Sequence, residues 1–390
     1  MDSKKATENK ATAEERRKKK AELFEKAQKE INKEFGTGSV IPVNGNLDVE
    51  TISTGSWSID SILGGGFPRG RLIEIYGKEA SGKTSIALNA IADVQRKGGN
   101  AVFIDLENAL DPRYAKQLGV DIDRLIASRP ENGEQAEMIM EKFIESGSVD
   151  IIVLDSVAAM VSQKELEGDI TKDTMALRAR LMSKLCGRIV HPAAVTGTAV
   201  IFTNQLRTKI GGFSPTGDPT DTTGGKALKY AATQRIQVRR GKQEVDPKTG
   251  LIIRTPLNVK VVKNKIAPPL LSCETFLANG KGIDKDNELF DLCEKFGIIK
   301  RSGSYYKDGD TGETLGQGKP SILKKIENNE DGIKDKYIPR MLERLEQVGS
   351  ADTNDIIEDA ISRGDDDIVE SMRSNTRISN RKISDSEDDD

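Results

Sequence analysis

The chain has 390 residues, 36% of them hydrophobic and 31% charged, with a formal net charge of −3 at pH 7. That length accommodates one large α/β domain with smaller attachments, and the hydrophobic fraction supports a core beneath a heavily solvated surface. One histidine and three isolated cysteines give little support to a His-rich metal centre, a Ser-His-Asp triad, a cysteine-based zinc site or a disulfide framework, and no apolar run reaches the roughly 18 residues of a membrane-spanning helix.

The opening MDSKKATENKATAEERRKKK mixes acids with bases and lacks the apolar stretch of a signal peptide, so the expected location is cytoplasmic, with no membrane partner. Residues 1–45 read as a charged leader and an oligomerisation arm of helix and strand. Leu23, Ala27, Ile31 and Phe35 recur every four residues on one helical face. That face suits either a solvated helix folded back on its own domain or an arm docked on a neighbour. Residues 46–282 alternate strand and helix. RLIEIY, AVFIDL, DIIVLD and AVIFTN are candidate buried strands separated by helix-length segments, the pattern of an α/β core with a central, mostly parallel sheet flanked by helices. TQRIQVRR and LNVKVVKNK follow with period-two patterning and no helix between them, so the sheet is expected to end in antiparallel strands. His191, which precedes Pro192, reads as a loop residue. Residues 283–350, containing SGSYYKDGDTGETLGQGK, form a small α+β C-terminal domain, and residues 351–390, ending SDSEDDD, a flexible acidic tail. Such a polyanion can compete with phosphate-bearing ligands for basic residues such as Lys319, Lys324 and Lys325, or serve solubility alone.

Chemistry concentrates in IEIYGKEASGKTSIAL, residues 73–88. A strand-like run leads into Gly77, Lys78, Glu79, Ala80, Ser81 and Gly82, and a helical pattern starts at Lys83. Glycines let the backbone curl around phosphate, and the following helix offers its positive end. Lys83 then reaches the β- and γ-phosphates, the Thr84 hydroxyl suits Mg²⁺, and Ser85 continues the site. DIIVLDS ends a strand on Asp155, which can hold the water shell of that Mg²⁺. AVFIDLENALDPRY carries Glu107 just past a strand that ends at Asp105. Glu107 suits either polarising an attacking water or serving as an acid at a helix N-terminus. Tyr114 can lie against adenine, and Gln205, ending the strand of FTNQLR, can sense a γ-phosphate.

Two further stretches read as nucleic-acid loops. ELEGDITKDTMALRAR holds Gly168, Met175, Arg178 and Arg180. LRTKIGGFSPTGDPTDTTGGK holds Arg207, Lys209, Ile210, Gly224, Gly225 and Lys226. Basic side chains there can neutralise phosphates, and a glycine-rich backbone can track a strand. Aromatic content of 4% argues against a stacking platform. The plain alternative makes both stretches surface connections, and Lys229 and Arg235 either DNA contacts or strand-edge charges.

DVETISTGSWSIDSILGGGFPRGRLIEIYGKEASGKT, FIDLENALDPRYAKQLGVDID, VDIIVLDSVAAM, NQLRTKIG, TTGGKALKY and VKVVKNKIAPP together resemble the bacterial RecA recombinases, in that family's order and spacing, from about Glu22 to Asn328. The resemblance implies a P-loop core and an ATP- and Mg²⁺-requiring, DNA-dependent ATPase. It implies a helical filament on single-stranded DNA that pairs with homologous duplex and exchanges strands in repair. It further implies that Glu107 activates water, that Gln205 couples nucleotide to DNA, and that Asp111 and Tyr114 contact adenine. Lys263 and Lys265 match the pair that reaches a neighbouring subunit's ATP. Met175 and Ile210 resemble apolar wedges inserted between groups of stacked bases. Loader proteins and a self-cleaving repressor of an SOS response are further partners of that kind. Departures are Lys78 in place of the family's usual proline, Ala80 in place of serine, and a longer charged leader. The stretch after Gly211 is about two residues longer than usual, which blurs carry-over at Phe213, and HPAAVTGTAV replaces a more polar connection. A helicase-type motor on the same core, and a DNA-coating filament protein that binds ATP with little turnover, are the alternatives. The absence of zinc-ribbon cysteines and of an attached helicase or protease domain argues against the first; Glu107, Asp155 and Gln205 argue against the second.

Overall fold

A computed structural model of the chain describes residues 2–36, 40, 49–168, 174–208, 220–245 and 249–350. The chain divides into two units, Met1–Val49 and Glu50–Asp390. The first is a single long helix, α1 (Asp2–Phe35), on which Leu23, Phe24, Ile31 and Phe35 are exposed. The strand expected after it, before residue 46, falls almost wholly outside the described residues, as does the acidic tail at 351–390.

The second unit begins with β1 (Thr51–Ile52), α2 (Trp57–Leu63) and β2 (Phe67–Pro68), then enters the core: β3 (Leu72–Gly77), α3 (Lys83–Arg96), β4 (Ala101–Asp105), α4 (Pro112–Gln117), β5 (Ile126–Ser128), α5 (Gly133–Glu145) and β6 (Ile151–Asp155). There follow α6 (Gln163–Glu167), α7 (Thr174–Thr196), β7 (Ala199–Thr208), β8 (Thr220–Thr222), α8 (Ala227–Ala231), β9 (Gln234–Arg240), β10 (Glu244–Val245), β11 (Ile252–Asn264), β12 (Ser272–Ala278) and β13 (Gly282–Ile283). The sheet runs in the order β13-β12-β11-β9-β3-β7-β6-β4-β5, with β10 beside β11 and β8 beside β7. From β9 to β5 every pairing is parallel; β11, β12 and β13 are antiparallel.

Strands covered on both faces must be apolar at odd and even positions alike. Ile73, Ile75, Phe103, Ile151, Val153 and Ile201 join α3 in one buried layer. Their alternates Leu72, Val102, Ile104, Ile152, Leu154 and Phe202 join α5 and α7 in the other.

TQRIQVRR and LNVKVVKNK pair antiparallel with no helix between them, as expected, and TQRIQVRR is parallel to β3 on its other side. The short α8 precedes it. One expectation needs correcting here: His191 is not in a loop. It is exposed on α7, a helix that carries Pro192 inside it, in its last turns.

Beyond the sheet lie α9 (Lys285–Lys295), β14 (Ile299–Ser302), β15 (Tyr305–Asp308), β16 (Thr314–Gln317), α10 (Lys319–Glu327) and α11 (Ile333–Ser350), around a third buried cluster that includes Phe290, Ile322 and Tyr337. Lys319 is engaged by Asp291 and lies over the Phe290 ring. Glu288 of α9 is buried and accepts from Ser56 Oγ, Trp57 N and Ser58 N, capping α2 of the core. Asp308, also buried, accepts from Tyr337 Oη (2.7 Å) and Arg340 (3.0 Å), with Lys336 Nζ 2.9 Å away. Burial by itself would raise this carboxyl, yet the Arg340, Tyr337 and Lys336 hydrogen bonds outweigh it and hold the group well below the usual carboxylate range. Its stabilisation is therefore full above the unfolded carboxyl value and is lost as pH falls from there toward the depressed folded value. Asp308→Asn takes the buried counter-ion from the partly exposed Arg340 and Lys336 and is expected to lower stability by about 2 kcal/mol at neutral pH. In denaturant titrations that gap should narrow below about pH 4; a gap constant with pH would show that charge is not the cause.

Candidate nucleotide-binding site

The register of the parallel strands assembles the site. Gly77 is level with Gln205, and Asp105 with Asp155, so several functional side chains emerge together where β3, β4 and β6 end; Gln205 does not end its strand as expected, because β7 runs on to Thr208. Gly77 must be glycine, because a Cβ there would meet the Val238 carbonyl oxygen at 2.2 Å and Ser81 Oγ at 2.6 Å. Left-handed backbone at Ala80 (φ 53°) and Gly82 (φ 93°) curls the loop onto the start of α3. Lys78, Glu79 and Ala80 are exposed; Ser81 is buried, and its Oγ has no hydrogen-bond partner among the described residues. The buried Lys83 ammonium donates to the Lys78 carbonyl (2.7 Å) and approaches that of Gly77 (3.5 Å). Burial lowers its pKa despite Asp155, Glu107 and Glu79 nearby. A desolvated cation and an orphaned hydroxyl at a helix N-terminus fit an anion.

Thr84 Oγ1 donates to Asp155 Oδ2 (2.6 Å), and Thr203 Oγ1 to Asp155 Oδ1 (2.5 Å). Burial raises the Asp155 carboxyl, partly offset by those two hydroxyls. A hydroxyl beside a carboxylate is the hard oxygen set that Mg²⁺ takes when phosphates and waters complete its shell. One step along the sheet, Glu107 accepts from Ser156 Oγ (2.5 Å) and Gln205 Nε2 (3.2 Å). Glu107 is exposed and lies ahead of the next helix, so it is not that helix's first-turn acid. Asp111 caps α4 instead, accepting from Arg113 N at 2.8 Å. That cap sets the helix carrying Tyr114, whose hydroxyl meets Ser85 Oγ at 2.7 Å.

The phosphate loop and Tyr114 line a cleft of about 300 Å³, closed on the far side by Arg240, Thr255, Asn279 and Gly280. None of those four was singled out in the sequence. Arg240 ends β9, Thr255 lies on β11, and Asn279 and Gly280 follow β12, strands that meet only through antiparallel pairings which no local pattern announces.

Lys263 and Lys265 are not in this cleft. Gly77 is level with Val238 and Val259, whereas Lys263 is level with Arg235 and Glu74, about 10 Å back along the strands. Lys263 Nζ donates to the carbonyls of Lys229 (2.8 Å) and Tyr230 (2.9 Å), and burial, then Lys265 and Arg235, lower its pKa. Lys265 is exposed.

Of the residues read as DNA-facing, Gly168 ends α6, Met175 lies in the first turn of α7, and Arg180 and Arg207 are exposed. Arg178 instead bonds the Ala158 carbonyl (3.2 Å) and Glu165 (3.4 Å). Gly224 and Gly225 take positive φ and pack so closely that a Cβ would meet Val157 at 2.8 Å and Ala179 at 2.9 Å, respectively. Arg235 pairs with buried Glu74, and Lys229 makes interactions of its own. Lys209 and Ile210, and Phe213 after them, lie outside the described residues. No described helix is long and apolar enough to cross a membrane.

Comparison with known proteins agrees with this geometry. The RecA N-terminal domain family matches residues 22–284 and the RecA C-terminal domain family residues 287–335. A Protein RecA from Thermotoga sp. (strain RQ2) is 45% identical over 344 residues, 85% of this chain and 96% of that protein. Those of Levilactobacillus brevis (45%, covering 79% of this chain and 81% of that protein) and Listeria monocytogenes serotype 1/2a (43%, covering 84% and 93%) are similar. The chain therefore belongs to the RecA family of recombinases, proteins of DNA repair.

Proposed function

We propose that this recombinase is a single-stranded-DNA-dependent ATPase that works as a helical filament of many copies in the cytoplasm. Residues 46–282 form the ATPase core, 283–350 a small domain for duplex DNA, and 351–390 a regulatory acidic tail. Gly77 to Ser85 cradle the triphosphate, with Lys83 on its outer phosphates and Tyr114 beside the base. Mg²⁺ held by Thr84, with Asp155 on its water shell, would neutralise phosphate charge. Glu107 orients and deprotonates the attacking water, and Gln205 links that carboxylate to the DNA-facing segment. Lys263 and Lys265 act on the ATP of the next subunit. One observation carries the reading. Glu107 and Gln205 meet at 3.2 Å, and the strand that bears Gln205 also bears Arg207 and runs directly into residues 209–219. Nucleotide and DNA elements thus share one strand.

The test is strand exchange. Full-length protein with ATP and Mg²⁺ should convert circular single strands and homologous linear duplex to joint molecules, and should fail with heterologous duplex. Joint molecules without ATP, or none with it, would reject the proposal.

A further inference from the structure

Asn204 sits on β7 immediately before Gln205, with its residue 0% exposed. Its Nδ2 donates to the Thr223 carbonyl (2.9 Å) and to Glu74 Oε1 (2.9 Å), and its Oδ1 accepts from Gln205 N (2.9 Å). Both amide protons and the carbonyl are therefore used, which fixes the orientation of the group. Glu74 is itself 0% exposed, and Arg235 Nε donates to its other oxygen at 2.5 Å. The amide is thus anchored to a buried ion pair on one side.

On its other side is the return end of residues 209–219. β7 and β8 close that segment with a ladder ending at Leu206 and Thr222, and Asn204 adds a bond just beyond it. Thr223 contributes no tether from its own side chain, since Thr223 Oγ1 is buried without a hydrogen-bond partner among the described residues. The next residue, Gly224, packs on Val157, adjacent to the Ser156 that bonds Glu107. A shift of Thr223 therefore reaches the Gln205 backbone through one rigid amide, and reaches Glu107 through Val157 and Ser156.

We infer that Asn204 is a positioning residue that couples the DNA-facing segment to Gln205, so that DNA occupancy and nucleotide state report to each other through its side chain. The inference rests on the proposed DNA-dependent ATPase. Asn204 is fully buried and bonded to Glu74, Thr223 and Gln205, so it acts through those neighbours. Coupling between two binding sites is reciprocal and is measured as a ratio of affinities. An asparagine needed only to satisfy Glu74 would affect folding and leave that ratio alone.

The experiment uses full-length protein and a fluorescent oligo(dT), titrated with ADP and with the slowly hydrolysed analogue adenosine 5′-O-(3-thiotriphosphate). The ratio of the two DNA affinities is the coupling. In Asn204→Leu the ratio should fall about tenfold or more, while DNA affinity with ADP and nucleotide affinity without DNA stay within about threefold of wild type. Asn204→Ser, read the same way, serves if the leucine variant lacks a cooperative melt. A lowered melting temperature with an unchanged ratio overturns the inference. A wild-type ratio of one rejects the proposed function itself, whereas a high wild-type ratio retained in both variants rejects only the role of Asn204.

Discussion

Glu107→Gln should retain ATP binding and lose turnover by about 10²- to 10⁴-fold, the usual contribution of a positioned general base. The substitution keeps the size of the side chain and an acceptor oxygen for the Ser156 hydroxyl, which now bonds Glu107 at 2.5 Å. What disappears is the carboxylate that takes the water's proton. Stable complexes with ATP and DNA should therefore accumulate. Lys83→Ala should fail earlier, at binding, because the buried ammonium supplies the charge that the triphosphate needs. Single-turnover hydrolysis and nucleotide titration separate the two. Near-normal turnover in the glutamine variant would reduce Glu107 to a partner of Ser156 and Gln205.

Replacing Lys263 and Lys265 together by alanine should remove about 10³-fold or more of the DNA-stimulated rate, as loss of a cationic finger does. Nucleotide affinity of the free subunit should hardly change. The physical reason is the register: Lys263 is level with Glu74, not with Gly77, so it cannot serve its own phosphate loop. A head-to-tail interface brings such a group to the next subunit. Mixing the double variant with Lys83→Ala subunits leaves some intact pockets beside intact lysine pairs, and random alternation should restore roughly a quarter of wild-type hydrolysis. No recovery in proven mixed filaments would place the lysines in a cis role.

The parts of the site written in short local runs were legible from the sequence. The phosphate loop, Asp155 at the end of an apolar strand and Glu107 past another announce themselves because glycine spacing and strand-end carboxylates are local features. Their meeting with Gln205 follows from parallel strand order. The far wall of the cleft was not legible, since Arg240 and Asn279 come together only through the pairings of β9 with β11 and of β11 with β12. Asn204 reads as an ordinary polar residue until Glu74 and Thr223 are seen on either side of its amide. His191 was misplaced because a proline inside the end of α7 imitates a loop signal. The short β5, with Ile126 and Ala127 exposed, has no apolar run to mark it.

In this reading DNA switches on hydrolysis at the Lys83–Glu107 site. ATP hydrolysis by the full-length protein is followed with Mg²⁺, with and without single-stranded DNA, beside Glu107→Gln. Stimulation by about tenfold or more is expected in the wild type and none in the variant, because only a carboxylate at position 107 can take the water's proton. Equal rates with and without DNA, or stimulation that survives Glu107→Gln, would contradict it.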